Sequence, residues 1–306
     1  MLVSIGEILV DIFQDENGTT ILPGGAPFNV AVNSLLYTDK VFFVGAIGND
    51  DNGKLLKDCF NSYSFVKDGI RVHNDRFTSK AIVTLENGER SFRFERDGGA
   101  DYALSLDDID FSLIKEGDIV HIGSLMLSHK EGRDFFDAFI AKIKTFKGVK
   151  VSFDINYRDD TFPSSEVAKS IFIDSLKKAD ILKFSIDELL FLSGEDKVED
   201  ALTKLLNDSQ IAVITLGDKG SYLYKDRKLT HVNCFPLKPV DTTGAGDAFY
   251  SYFLSSLNNN PNFVDDPELV QKYLTRANVV GGIATLKKGA IGVAPSEKEI
   301  DTFINK

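Results

Sequence analysis

From about Gly117 onward the chain alternates two kinds of segment, and that alternation limits what it can fold into. Short apolar runs such as Asp118-Ile-Val-His-Ile, Val149-Lys-Val-Ser-Phe-Asp-Ile, Ile181-Leu-Lys-Phe and Ala212-Val-Ile-Thr-Leu have the length of buried strands. Between them lie stretches of helical period. Ser165 to Ala179 is one, with Val167, Ile171 and Leu176 expected on its inner stripe. Strands that alternate with helices make a parallel sheet covered on both faces. Ligands of such sheets bind in the crevice outside the carboxyl ends of the strands.

With 306 residues, 43% of them hydrophobic, the chain can bury a full core. It suits one main domain with an appendage. No repeat, low-complexity tract or Pro-rich linker interrupts the sequence, so the appendage must be an insertion that returns to the main body. Lys80-Ala-Ile-Val-Thr-Leu-Glu and Glu89-Arg-Ser-Phe-Arg-Phe-Glu alternate in character around Asn87-Gly88, a pair that favours a tight hairpin turn. With the turn-rich stretch Asp15 to Gly18, this reads as a small β-sheet standing off the body.

A net charge of -11 and a pI near 4.9 repel phosphate backbones and anionic lipid, which argues against nucleic-acid and membrane partners and for a small neutral substrate. Cys59 and Cys234 lie in hydrophobic stretches without metal-site or disulfide spacing and read as buried thiols of a reducing compartment. Met1 to Val10 has no basic leader, and nowhere do ~18 apolar residues follow one another. A soluble, cytoplasmic protein is expected.

The segment Asp241-Thr-Thr-Gly-Ala-Gly-Asp247-Ala-Phe-Tyr-Ser-Tyr-Phe-Leu254 carries the chemistry. Phe249, Tyr252, Phe253 and Leu257 have helical spacing, so Gly244-Ala245-Gly246 forms the turn into a helix. Free N–H groups and the helix dipole at such a terminus hold an anion or the charge on a transferring phosphoryl group. Asp247, in the first turn, can take a proton from an attacking hydroxyl. A plain helix cap would not need the small residues that precede it.

This run resembles the C-terminal signature of the PfkB-type, or ribokinase-like, carbohydrate kinases. Gly45-Ala-Ile-Gly-Asn-Asp-Asp-Asn-Gly53 resembles the family's N-terminal signature, and Pro23-Gly24-Gly25-Ala26-Pro27-Phe28-Asn29-Val30-Ala31 its sugar-binding glycine pair. The resemblance covers essentially the whole chain. It implies one ribokinase-like α/β domain over residues 1–306, with a β-sheet lid from segments near 12–22 and 70–100.

On the sugar side the resemblance implies Asp11 at the end of the first strand, Gly24, Gly25, Asn29, and Asn156 and Arg158 of Asp154-Ile-Asn-Tyr-Arg, with Arg96 reaching the sugar from the lid. Read from chemistry alone, Asn29 could cap a helix beginning at Val30, and Arg158 could pair with Asp159 or Asp160. On the nucleotide side it implies Lys183, Ser185, Thr215, Gly217, Gly220 and Asn278. Glu188 matches a residue that orients magnesium-bound water, and Asp241 and Thr243, near Lys288-Gly289-Ala290, match a region that binds a monovalent cation such as potassium. Ser185 stands where the family commonly has Asn, a departure that fructokinase-like members share.

The activity implied is ATP-dependent phosphorylation of a sugar primary hydroxyl, fructose to fructose 6-phosphate, with Asp247 as base and Gly244, Ala245 and Gly246 as the anion turn. A 2-keto-3-deoxygluconate kinase or a ribokinase is the alternative, and a homodimer through the lid is expected. Loss of the base, or a bulky residue in the turn, would mark a catalytically silent sugar-binding regulator; neither is seen. Gly48-Asn-Asp-Asp-Asn-Gly53-Lys54-Leu55 fails as a phosphate loop, because Leu55 replaces the metal-binding hydroxyl and its aspartates repel phosphate. His121, in an apolar run, reads as a core histidine.

Overall fold

The computed structural model describes residues 1–15, 18–86 and 89–305. β1 (Leu2–Ile5), β2 (Leu9–Asp15) and β3 (Gly18–Gly24) lead into α1 (Ala26–Ser34), followed by β4 (Val41–Gly48), α2 (Asp51–Asn61), β5 (Ile70–His73), β6 (Lys80–Glu86) and β7 (Glu89–Glu95). The next stretch is the alternation read from the sequence: β8 (Ile119–Ile122), α3 (Lys130–Ile143), β9 (Lys150–Asp154), α4 (Ser165–Leu176), β10 (Ile181–Ser185), α5 (Ile186–Ser193), α6 (Val198–Leu205) and β11 (Ile211–Thr215). β12 (Ser221–Lys225), β13 (Lys228–Val232), α7 (Ala245–Asn259), α8 (Pro267–Ala284) and α9 (Glu297–Ile304) complete the chain.

Nine strands form one sheet in the order β13-β12-β11-β10-β9-β8-β1-β4-β5, antiparallel where β12 joins β11 and β13 and parallel elsewhere. Successive strand residues point to opposite faces. Val3 and Ile5 therefore belong to the same core as Phe136 and Phe139 of α3 and Phe172 of α4, whereas Leu2 belongs to the core on the other face with Phe249 and Phe253 of α7 and Leu274 of α8. The sheet is covered on both sides, as the alternation requires.

Of the stripe expected on helix α4, Leu176 is buried and Ile171 packs half-buried against the core, whereas Val167 is 41% exposed; Ala168, Phe172 and Ser175 complete the buried face. The buried set follows the i, i+4, i+7, i+8 spacing of one helical face, which the set 167, 171 and 176 does not.

The small sheet has the order β3-β2-β6-β7. Its centre is the parallel pair β2 and β6, and β6 and β7 run antiparallel with Glu86 opposite Glu89. The expected hairpin turn Asn87-Gly88 and the turn residues Glu16 and Asn17 lie outside the described residues. The span 70–100 is wider than the inserted ribbon: β5 pairs with β4 at the edge of the central sheet, held there by Gly45 N to Gly69 O (3.1 Å) and Asn49 N to His73 O (2.8 Å).

Cys59 and Cys234 are free thiols and only half-buried, less enclosed than expected. No helix among the described residues is long and apolar enough to cross a membrane. The aspartate loop rejected as a phosphate site caps a helix: Asp50 Oδ1 accepts from Gly53 N (2.7 Å) and Thr78 Oγ1 (2.7 Å), and its Oδ2 from Thr78 N (2.8 Å).

Candidate active site

The carboxyl ends of β1, β9, β10 and β11 face the small sheet, and a cavity of about 400 Å³ lies between them. Leu9, Asp11, Ala81 and Phe94 of the small sheet form one wall. Asn156, Arg158, Lys183, Ser185, Glu188 and Thr215 come from the strand ends, and Gly25, Asn29, Gly244, Gly246 and Asp247 from the starts of α1 and α7. One cavity thus gathers residues spread over most of the chain.

Asp247 is half-buried in the first turn of α7, and Asn29 Nδ2 donates to its Oδ2 at 2.8 Å. Asn29 does not cap a helix at Val30. It lies inside α1, which begins at Ala26 with Pro27 in the first turn, a place where the missing proline N–H costs nothing. Burial raises the proton affinity of Asp247, and the Lys183 ammonium opposes it. Asp11 is pushed up to about 7, by burial first and then by the Asp247 charge.

The turn before Asp247 needs glycine. Gly244 has φ 72, and a Cβ there would lie 2.3 Å from Ala290 Cβ. The amide of Ala245 donates to Thr242 O at 3.3 Å, so the first-turn amides left for an anion are those of Gly246 and Asp247.

The glycine pair has a steric purpose. A Cβ on Gly24 would sit 2.2 Å from Asp11 Oδ2, and one on Gly25 (φ 109) 2.3 Å from Glu7 O. Gly24 lets the Asp11 carboxylate stand at the cavity wall, and Gly25 lets α1 start against the β1–β2 connection. Arg158 is exposed and donates to Tyr157 O at 2.9 Å, while Asp160 accepts from Phe94 N at 3.1 Å and ties this loop to β7. Arg158 lines the cavity.

Arg96 is placed differently from the expectation. It is 3% exposed and outside the cavity wall, its Nε and Nη2 donating to Asp101 Oδ2 and its Nη1 to Ser128 Oγ at 2.8 Å. It anchors the exit of β7 to the body. Such a fully desolvated guanidinium needs a carboxylate partner, and Asp101 supplies it.

A second cavity, of about 280 Å³, adjoins the first and shares Thr215, Thr242 and Gly246 with it. Gly217, Gly220, Asn278, Cys234, Phe235 and Leu237 line it. Asn278 Nδ2 donates to Val232 O (3.1 Å) and Asn233 O (3.4 Å), fixing α8 against the end of β13. Of the six residues expected on the nucleotide side, Thr215, Gly217, Gly220 and Asn278 are here, whereas Lys183 and Ser185 face the first cavity.

Glu188 closes a capping box with Ser185: Ser185 N donates to Glu188 Oε2 at 2.7 Å and Glu188 N to Ser185 Oγ at 3.2 Å. Tyr157 N donates to Glu188 Oε1 at 2.9 Å, so this carboxylate also sets the Asn156 turn, where φ is 38. Asp241 is buried; its Oδ1 accepts from Thr243 N (3.0 Å) and Oγ1 (2.7 Å), and its Oδ2 from Gly289 N (3.1 Å). It joins the two loops expected around a monovalent cation. His121 is a core residue, its Nδ1 3.1 Å from Ser152 Oγ and its proton affinity pushed down to about 3 by burial.

Sequence reasoning missed Glu7. It is 1% exposed on the cavity floor, neither side-chain oxygen has a hydrogen-bond partner, and burial pushes it up to about 8. An acidic residue beside Gly6 in an apolar run was the one signal available.

Fold and site together define an α/β protein with two adjoining cavities at a single helix N-terminus, one beside a carboxylate and the other lined mainly by apolar residues. Residues 1–297 match the pfkB family carbohydrate kinase, and the chain belongs to that family. Fructokinase-1 of Zea mays is 34% identical over 319 residues, covering 100% of this chain and 98% of that protein. The crystal structure of fructokinase from Vibrio cholerae O395 with fructose, ADP and calcium superposes with a TM-score of 0.90 at 30% identity, covering 99% of this chain and 98% of that one. Fructokinase from Xylella fastidiosa with bound ATP gives a TM-score of 0.90 at 28% identity, covering 99% of this chain and 98% of that one.

Proposed function

We propose that the chain transfers the γ-phosphoryl group of ATP to a primary hydroxyl of fructose, giving fructose 6-phosphate, with Asp247 as general base. The meeting of the two cavities at Gly246, beside Asp247, carries this reading. Sugar occupies the first cavity against Asp11, Gly24, Gly25, Asn29, Asn156 and Arg158, and nucleotide the second. The small sheet serves as a lid that excludes water from the transfer.

Asp247 takes the hydroxyl proton as the sugar oxygen bonds to the γ-phosphorus; the bond from that phosphorus to the bridging oxygen breaks, and ADP leaves with the electron pair. The Gly246 and Asp247 amides, the α7 dipole and the Arg158 guanidinium stabilise the charge on the transferring group.

No group of three or more acidic, His or Cys side chains among the described residues could hold a metal ion alone, which fits a cation held mainly by nucleotide phosphates and water. Magnesium would sit near Glu188 and screen the phosphates. Potassium would sit by the loops that Asp241 and Thr243 join. The free thiols suit a reducing cytoplasm, and the reading includes a homodimer through the lid.

The test is ADP release from ATP and magnesium with fructose, ribose, 2-keto-3-deoxygluconate, adenosine and fructose 6-phosphate, each with and without potassium. Turnover with fructose well above the rest supports the reading. Sugar binding without turnover on any of them would replace it with a regulator.

A further inference from the structure

Lys183 has a partner that the mechanism above does not use. In the parallel pairing of β9 and β10 it lies in register with Asp154, and its Nζ is 2.6 Å from Asp154 Oδ2. The side chains are 8% and 3% exposed. The other oxygen, Asp154 Oδ1, is buried without a hydrogen-bond partner. An ion pair taken out of water and left incompletely satisfied is a poor stabiliser, and apolar residues of similar volume would serve folding as well. Its value therefore lies in where it puts the charge.

That place is the first turn of α7. A Cβ on Gly246 would lie 3.4 Å from Lys183 Nζ, so the ammonium stands against the turn that carries Asp247. Lys183 lines the sugar cavity, while Asp154 is set back from it. The Tyr250 ring, its centroid 5.9 Å from Nζ, flanks the ammonium. Lys183 is thus drawn toward Asp154 behind it and toward Glu188 and Asp247 in front.

We propose that Asp154 is a positioning residue for phosphoryl transfer: it holds the Lys183 ammonium off Asp247, keeping that carboxylate basic and the ammonium beside the path of the phosphoryl group. The proposal rests on the fructokinase reading above. Without the Asp154 charge, Lys183 is left with Glu188 and Asp247 as its acidic neighbours, and a carboxylate that takes up an ion pair is a weaker base. The groups around Asp247 divide accordingly: burial and Asp154 raise its proton affinity, and Lys183, Asn29 and Arg158 lower it. Asp11 and Glu7, which feel its charge from the β2 side, add negative charge when ionised.

The experiment compares wild type, Asp154→Asn, Lys183→Met and the double variant in kcat, KM for fructose and the pH dependence of kcat. For Asp154→Asn we expect kcat to fall ~10- to 100-fold, part of the ~10²- to 10⁴-fold that a general base supplies. Its KM for fructose should stay within about twofold, and the acid limb of its pH profile should move to lower pH. The double variant leaves neither buried charge alone, so it remains informative if Asp154→Asn does not fold. It should turn over no more slowly than Lys183→Met, because Asp154 acts through the ammonium. A wild-type kcat and pH profile in Asp154→Asn, or a further loss in the double variant beyond Lys183→Met, would overturn the proposal. A wild type that does not phosphorylate fructose would overturn the functional reading itself.

Discussion

Gly24→Ala should act on sugar binding, because the three atoms nearest to a Cβ there all belong to Asp11, a side chain of the proposed sugar site. The new Cβ would lie 2.2 Å from Asp11 Oδ2 and 2.8 Å from Asp11 Cγ. Gly24 is not among the positive-φ glycines, so alanine is not strained there. Asp11 is half-buried at the end of a freely rotating side chain, and it will swing out of the cavity. A hydrogen bond from a sugar hydroxyl to a charged group contributes about 1.5–3 kcal/mol, which is roughly a 10- to 150-fold loss in kcat/KM for fructose. Steady-state ADP release should show that loss, with KM for ATP within about twofold and Tm nearly unchanged. In an Asp11→Ala background the new methyl group has room and should cost nothing more. An unchanged KM for fructose in the single variant, or an equal rise in KM for ATP, would refute the steric argument.

Gly244→Ala places a Cβ 2.3 Å from Ala290 Cβ and 2.7 Å from its Cα at φ 72. It should cost at least ~1–2 kcal/mol in backbone strain and lower kcat with every sugar, read by thermal unfolding and ADP release; wild-type values for both would count against the turn. For Glu7, the native state keeps its proton up to about 8 and the unfolded chain releases it near 4.5, the ordinary range of a glutamate, so the native state binds more protons in between. Stability should therefore fall as pH rises through that window, with a slope approaching 1.4 kcal/mol per unit from this group at roughly pH 5 to 7.5. Glu7→Gln should remove that slope in urea unfolding, and parallel pH curves for variant and wild type would contradict it.

The central sheet was legible because each strand and helix of the second half announces itself locally, by apolar runs bounded by helical spacing. What was misread depends on partners far along the chain. Ile70–His73 carries no local sign of whether it pairs with β4 or with the inserted ribbon, and the pairing with β4 decides it. On α4, Val167 and Ala168 differ by one residue, about 100° around the helix, and only packing decides which of the two faces inward. Asn29 resembles a cap because Gly25 and Pro27 before it suggest a turn, yet Pro27 fits a helix already begun.

In the site, the run Asp241 to Leu254 held its own geometry, so the glycine turn and Asp247 could be located from sequence. Lys183 and Arg96 could not be, since their positions are set by Asp154 and Asp101 across strand and loop contacts. Glu7 shows the same limit, because only the packed structure reveals a carboxyl group left without a partner.

The most direct test of the account is Asp247→Asn, with kcat and fructose affinity measured on the same preparation by ADP release and calorimetric titration. Asparagine keeps the size of the side chain and cannot take the proton, so the account predicts a loss of kcat of at least ~10²-fold with fructose affinity within a few-fold of wild type. Turnover near the wild-type rate would remove Asp247 from the role of base and contradict the account at its centre.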